Sequence, residues 1–169
     1  MARQSSKSVA ADAGEIDPAN LAGFTEVRES SVSGAGLGLF ATRRIPRGTV
    51  WWRATPVNHI RVPKLTYLCL LGSELRRSKS SEALLASLHK FAYFDPRNNE
   101  LILCLDNGRF VNHSTTPNSI PAHHELTSAS ATAVDIEPGE EIFENYQEYG
   151  DADWLAPASD DFSHVGYRR

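Results

Sequence analysis

At 169 residues, with 41% apolar and 22% charged residues, the chain has the size and balance of one ordinary globular domain with tails. No stretch approaches the roughly 20 apolar residues of a membrane helix, and the polar start Met1-Ala2-Arg3-Gln4-Ser5-Ser6-Lys7-Ser8 leads into no apolar signal core. Fifteen of the 17 Lys and Arg residues lie at or before Arg109, whereas residues 110–167 hold 11 Asp and Glu and no Lys or Arg, so the net charge of −4 conceals an asymmetry.

These features predict an intracellular protein, cytoplasmic or nuclear, with no membrane partner. They exclude direct nucleic-acid binding by the acidic half, because phosphate contacts need clustered cations. A solvated acidic face and a surface that attracts a basic peptide are both compatible with it.

In chain order, residues 1–22 are rich in Ser, Ala and Asp without apolar periodicity, and read as a flexible tail. Short β-type runs follow: Phe24-Thr25-Glu26-Val27-Arg28, then Leu39-Phe40-Ala41-Thr42, then Gly48-Thr49-Val50-Trp51-Trp52, with Gly and Pro between them. Leucines then recur at helical intervals over residues 64–72 (Leu65, Leu68, Leu71) and 81–90 (Leu84, Leu85, Leu88), with Ser80 or Ser81 as N-cap of the second helix. Asp95-Pro96-Arg97-Asn98-Asn99 separates Tyr93-Phe94 from Leu101-Ile102-Leu103-Cys104-Leu105 and reads as a hairpin turn. Strands return at residues 129–134 and, after the turn Glu137-Pro138-Gly139-Glu140, at residues 141–143. The predicted class is mostly β with short helices. Residues 23–150 form the domain, with a helical insert over about residues 58–91 and a C-terminal segment over residues 151–169. Cys69 and Cys104 both sit in apolar runs and read as buried side chains. Without a Cys-x-x-Cys pair, no structural zinc site is expected.

Three segments carry chemistry. Ser33-Gly34-Ala35-Gly36-Leu37-Gly38-Leu39 has alternating glycines that let the backbone turn tightly and approach a ligand. Arg43-Arg44-Ile45-Pro46-Arg47-Gly48 breaks any helix after it, which defeats a dinucleotide-binding reading, and no helix N-terminus or lysine follows to hold a phosphate. The second segment is Arg109-Phe110-Val111-Asn112-His113-Ser114-Thr115-Thr116-Pro117-Asn118, and the third is Glu137-Pro138-Gly139-Glu140-Glu141-Ile142-Phe143-Glu144-Asn145-Tyr146. Each alone fits an ordinary loop or surface hairpin.

In this order, the three together resemble the SET-domain family over about residues 24–150. The resemblance implies a fold of small curved β-sheets in which the second and third segments pack in a knot-like arrangement. It implies an S-adenosyl-L-methionine-dependent protein-lysine N-methyltransferase, acting by in-line methyl transfer on a histone or another protein lysine. A non-catalytic SET module that binds cofactor or a lysine-bearing peptide is the alternative. By similarity, Gly36, Leu37 and Gly38 would wrap the methionine end of the cofactor. Asn112 and His113 would hold its amino group and adenine, with Arg109 and Phe110 supporting that corner. Tyr146 would be the catalytic tyrosine at the end of a lysine channel formed with Phe143, Glu144, Tyr149 and Trp154. Trp154 fits a core anchor equally well. No cysteine-rich zinc segment follows the domain, and Thr115 stands where the family often has cysteine. Glu144 stands where the family commonly has Tyr or Phe; a carboxylate there could hydrogen-bond the amine, point to solvent or mark a different substrate.

Overall fold

The computed structural model describes residues 16–18, 20–72, 78–122, 128–149 and 153–154. Most of the predicted tail and the C-terminal segment other than Asp153 and Trp154 lie outside the described residues. In chain order the elements are β1 (Thr25–Glu29), β2 (Leu37–Ala41), β3 (Val50–Arg53), β4 (His59–Pro63), α1 (Lys64–Gly72), α2 (Lys79–Phe91) and β5 (Ala92–Asp95). They continue with β6 (Glu100–Cys104), β7 (Asn112–His113), β8 (Ser119–Pro121), β9 (Ala129–Thr132) and β10 (Phe143–Glu144). Among the described residues no helix is long and apolar enough to cross a membrane.

The strands form four small sheets. β1 and β2 pair antiparallel, with Thr25 opposite Ala41 and Glu29 opposite Leu37. Their connection holds Gly34 and Gly36 at φ +81° and +79°, in the left-handed region that costs glycine least. A second sheet has the order β3-β9-β8 and a third the order β4-β6-β5, both antiparallel. The fourth is a parallel pair, β7 with β10, in which Asn112 faces Phe143 and His113 faces Glu144.

Two apolar clusters sit beneath these sheets. One gathers Phe24, Leu39, Ile45, Trp51, Trp52, Ile136 and Ile142 around the first two sheets. The other gathers Val62, Tyr67, Leu85, Leu88, Leu101 and Leu103 between the helices and the third sheet, with Trp154 packed against it. The hairpin between β5 and β6 is held by Asp95, whose buried carboxylate accepts from the Arg97 amide (3.1 Å), Arg97 Nε (3.0 Å) and Asn98 Nδ2 (3.1 Å).

Three details differ from the reading of the sequence. Residues 59–63 are a strand rather than part of a helical insert, and all five pair with β6. Helix α2 begins at Lys79 because Ser78, not Ser80 or Ser81, caps it: Ser78 Oγ accepts from the Ser81 amide at 3.1 Å. Cys104 is buried but Cys69 is exposed on α1, where the helix turns only part of its apolar surface inward.

Candidate active site

Two segments about 30 residues apart in the chain are brought together by β7 and β10. The Ser114 amide donates to the Glu144 carbonyl (3.0 Å), and the Tyr146 amide donates to His113 Nδ1 (3.1 Å). Because Nδ1 accepts, the neutral imidazole carries its proton on Nε2 and offers a donor there. Asn118 locks the pair from the side: its Nδ2 donates to the Glu141 carbonyl (2.8 Å) and its Oδ1 accepts from the Phe143 amide (2.8 Å). The Tyr146 hydroxyl donates to the Val111 carbonyl in a short bond. Burial, reinforced by Glu144 and Cys104, pushes the Tyr146 phenol well above its ordinary value. At neutral pH Tyr146 is therefore a protonated donor and not a base.

Glu141, to which the sequence reading gave no role, is a hub. Its buried carboxylate accepts from Ser30 Oγ (2.7 Å), the Ser31 amide (2.7 Å), Ser31 Oγ (2.6 Å) and Asn112 Nδ2 (2.9 Å). Burial alone would push this carboxyl up, but the bonds from Ser31, Asn112 and Ser30 outweigh it and hold the carboxyl below the usual range. The hub ties the glycine-rich connection to the second segment, since Asn112 Nδ2 also reaches Ser30 Oγ and the Leu37 carbonyl (both 3.0 Å). Gly38 lies directly beneath Glu141, and any Cβ there would collide with the carboxylate. With its amide protons engaged, Asn112 retains its carbonyl oxygen as an acceptor.

These elements enclose a cleft of about 960 Å³. Nine of the residues singled out from the sequence line it: Gly36, Leu37, Arg109, Phe110, Asn112, His113, Glu144, Tyr146 and Tyr149. Three do not. Gly38 is under Glu141; Phe143 alternates to the other face of β10; Trp154 packs against Tyr67 and Phe94 and donates from Nε1 to Asn99 Oδ1 (2.7 Å). The lining also includes Trp52 and Tyr93, whose rings meet edge to face with centroids 6.4 Å apart. The sequence marks Tyr93 only as a hairpin flank, and the alternation of β5 does not say which of its faces meets a ligand.

Glu144 is buried at 6% exposure. Its carboxylate accepts from Ser119 Oγ (3.1 Å) and, in a short bond, from the Tyr149 hydroxyl. Burial pushes its carboxyl up, and hydrogen bonds from Ser130, Tyr149 and Ser119 offset this only in part.

The SET domain family model matches residues 36–147, and the chain belongs to the SET-domain family. Among solved structures the chain is similar to the Polycomb Repressive Complex 2 of Chaetomium thermophilum, at 22% identity and a TM-score of 0.53, over 75% of this chain and 15% of that one. It is similar also to that complex in an autoinhibited conformation bound to S-adenosylmethionine, at 18% identity and a TM-score of 0.55, over 82% of this chain and 19% of that one. The chain thus spans less than a fifth of each of these two solved chains, and at this identity the likeness is one of fold. No curated protein sequence matches it.

Proposed function

We propose that the chain is an S-adenosyl-L-methionine-dependent protein-lysine N-methyltransferase that acts on a histone or another protein lysine. The observation that supports this reading best is the single cleft that joins Gly36, Leu37, Asn112 and His113 to Tyr146. The residues present fit the cofactor. The cleft is within the roughly 300–1,000 Å³ of small-molecule sites. No atom lies within 4 Å of where a Cβ at Gly34 or Gly36 would stand, so a ligand can approach that backbone. Asn112 retains an acceptor for an ammonium, and His113 Nε2–H is a donor for a ring nitrogen. When bound, the cofactor supplies a methyl group on positively charged sulfur. A solved neighbour carries that molecule.

The chain's residues would then do three things. The 36–37 backbone, Asn112 and His113 fix the donor, with Arg109 and Phe110 at its corner. The aromatic walls Trp52, Tyr93 and Tyr149 exclude water around the lysine stem. Tyr146, held by Val111, aligns the reacting atoms, and its oxygen can accept a weak hydrogen bond from a polarised methyl group. Alignment of amine, methyl and sulfur removes orientational freedom that would otherwise cost several kcal/mol.

The test is labelling of core histones and whole-cell extract with methyl-labelled S-adenosylmethionine, followed by mass spectrometry of the modified lysine. Tyr146→Phe is expected to lower transfer roughly 100-fold or more while cofactor affinity stays near wild type; normal turnover in that variant would sink the assignment. A wild type that binds the cofactor and labels nothing is instead a non-catalytic SET module. Glu144, an acid where the family commonly has an aromatic residue, favours that second reading.

A further inference from the structure

Neither the fold nor the cofactor accounts for Glu144. Strand β10 is two residues long and its side chains alternate, so the pairing that turns the half-buried Phe143 away from the cleft sends Glu144 to it. Its polar neighbours are hydroxyls, from Ser119, Ser130 and Tyr149. No Lys, Arg or His among the described residues forms an ion pair with it. The two cations that line the cleft lie over aromatic rings instead: Lys90 Nζ is 5.1 Å from the Phe91 centroid, and the Arg109 guanidinium is 4.8 Å from that of Phe110. The aromatic rings of Trp52, Tyr93, Tyr146 and Tyr149 line the cleft with Glu144, and the Tyr93 hydroxyl is buried there.

A buried carboxylate is normally paired with a cation or gives up its charge. One carboxylate, π faces and hydroxyls match a compact cation with N–H donors on a slender apolar stem. Resting on the methyltransferase reading above, we propose that Glu144 is the counter-ion of the acceptor ammonium and the first acceptor of the proton which that ammonium must lose before methyl transfer. In this step one N–H bond breaks and one O–H bond forms. Ammonium and carboxylate become amine and carboxylic acid, with no change in net charge. The freed lone pair forms the N–C bond, and the C–S electron pair stays on sulfur.

In water this proton transfer is opposed by about 6 pKa units, from lysine near 10.4 and glutamate near 4.3. Burial closes the gap from both sides, since it raises the acid and lowers the amine. The titratable groups facing Glu144 do not reverse this. Tyr93 from β5, Cys104 from β6, and Tyr146 and Tyr149 from the following turn are all held protonated, chiefly by burial, and Glu148 adds repulsion that raises Glu144 further. His113 from β7 meets Glu144 through the backbone pairing, with Nδ1 taken by the Tyr146 amide.

The counter-ion is tested without turnover. n-Butylammonium, a lysine side chain without its peptide, is titrated into protein labelled with ¹³C at glutamate carboxyls, with n-butanol as neutral control. The Glu144 resonance is expected to respond to butylammonium only, with its midpoint lowered by about one unit or more, since an opposite charge favours the ionised form. Glu144→Gln is expected to abolish saturable butylammonium binding while S-adenosylmethionine affinity stays within about twofold, which also shows that the variant is folded. The proton is then read by turnover on labelled histones or extract. Glu144→Gln should lower kcat/KM roughly 100-fold at pH 7 and recover most of it by about pH 10, where lysine supplies its own free amine, and Glu144→Asp should retain more than Gln. Undiminished butylammonium binding in Glu144→Gln, or a wild-type pH profile in that variant, overturns the proposal. A wild type that binds butylammonium through Glu144 but labels no protein overturns the proton step together with the methyltransferase reading, and leaves the counter-ion site standing.

Discussion

Glu141 and Glu144 stand three residues apart and both are buried, yet their carboxyl groups are displaced in opposite directions, because donated hydrogen bonds outweigh burial at Glu141 and only partly offset it at Glu144. For Glu141 the folded-state value is depressed, so its contribution to stability is complete above the ordinary value of 4.5 and is lost as pH falls through the folded value. For Glu144 the folded-state value is raised. Its charge therefore costs nothing at pH values below 4.5, begins to destabilise as pH rises through 4.5, and costs its full amount above the folded value. Glu144→Gln is accordingly expected to raise the melting temperature at pH 8, with the gain vanishing near pH 4, measured by thermal scans across that range. A wild-type advantage at pH 8 would contradict the uncompensated charge. The identity of both residues is plain in the sequence, but their opposite environments are not. Each depends on partners far away in the chain: Ser30 and Ser31 for Glu141, Ser119 for Glu144.

At the scale of elements, periodicity located the helices but not their edges. The leucine spacing of α2 is visible, whereas its start depends on which of three neighbouring serines turns its hydroxyl back onto the chain. Ser78→Ala removes that cap and should cost about 1 kcal/mol, read as a lower urea midpoint with an unchanged slope; no change would mean that water replaces the hydroxyl. Strand β4 was illegible for a different reason. Its residues His59-Ile60-Arg61-Val62-Pro63 hold only two β-forming side chains, Ile60 and Val62, before a proline, and only Val62 is buried, so its existence is decided by the register it finds against β6. Trp154 likewise had two readings, and the structure places it against Tyr67 and Phe94 in the second core, as an anchor between the insert and the end of the domain.

For the whole molecule, what made the fold legible was the order of three short segments, none of them decisive alone. Most of the residues they named line one cleft, while Tyr93, Trp52 and Ser130 joined it unannounced, because strands far apart in the chain contribute them. The charge asymmetry also has a consequence at this scale. Asp135, Glu137, Glu140 and Glu148 are exposed, and Arg44 neutralises only part of this set, through Asp135 and Glu137. An acidic surface of this kind steers a basic peptide toward the protein through a field that salt screens over about 8–10 Å. kcat/KM for a basic substrate should therefore fall several-fold between 50 and roughly 300 mM salt with kcat nearly unchanged; a salt-independent kcat/KM would show that the acidic face is only solvated. The parallel pair of β7 and β10 has a further consequence, for the order of events during synthesis. The glycine-rich connection leaves the ribosome early, but the carboxylate that fastens it, Glu141, is made 110 residues after Ser31. A nascent chain thus carries the glycine-rich side of its cleft unfastened until residues 141–149 emerge. The cleft is completed in one late event, after most of the chain has been made.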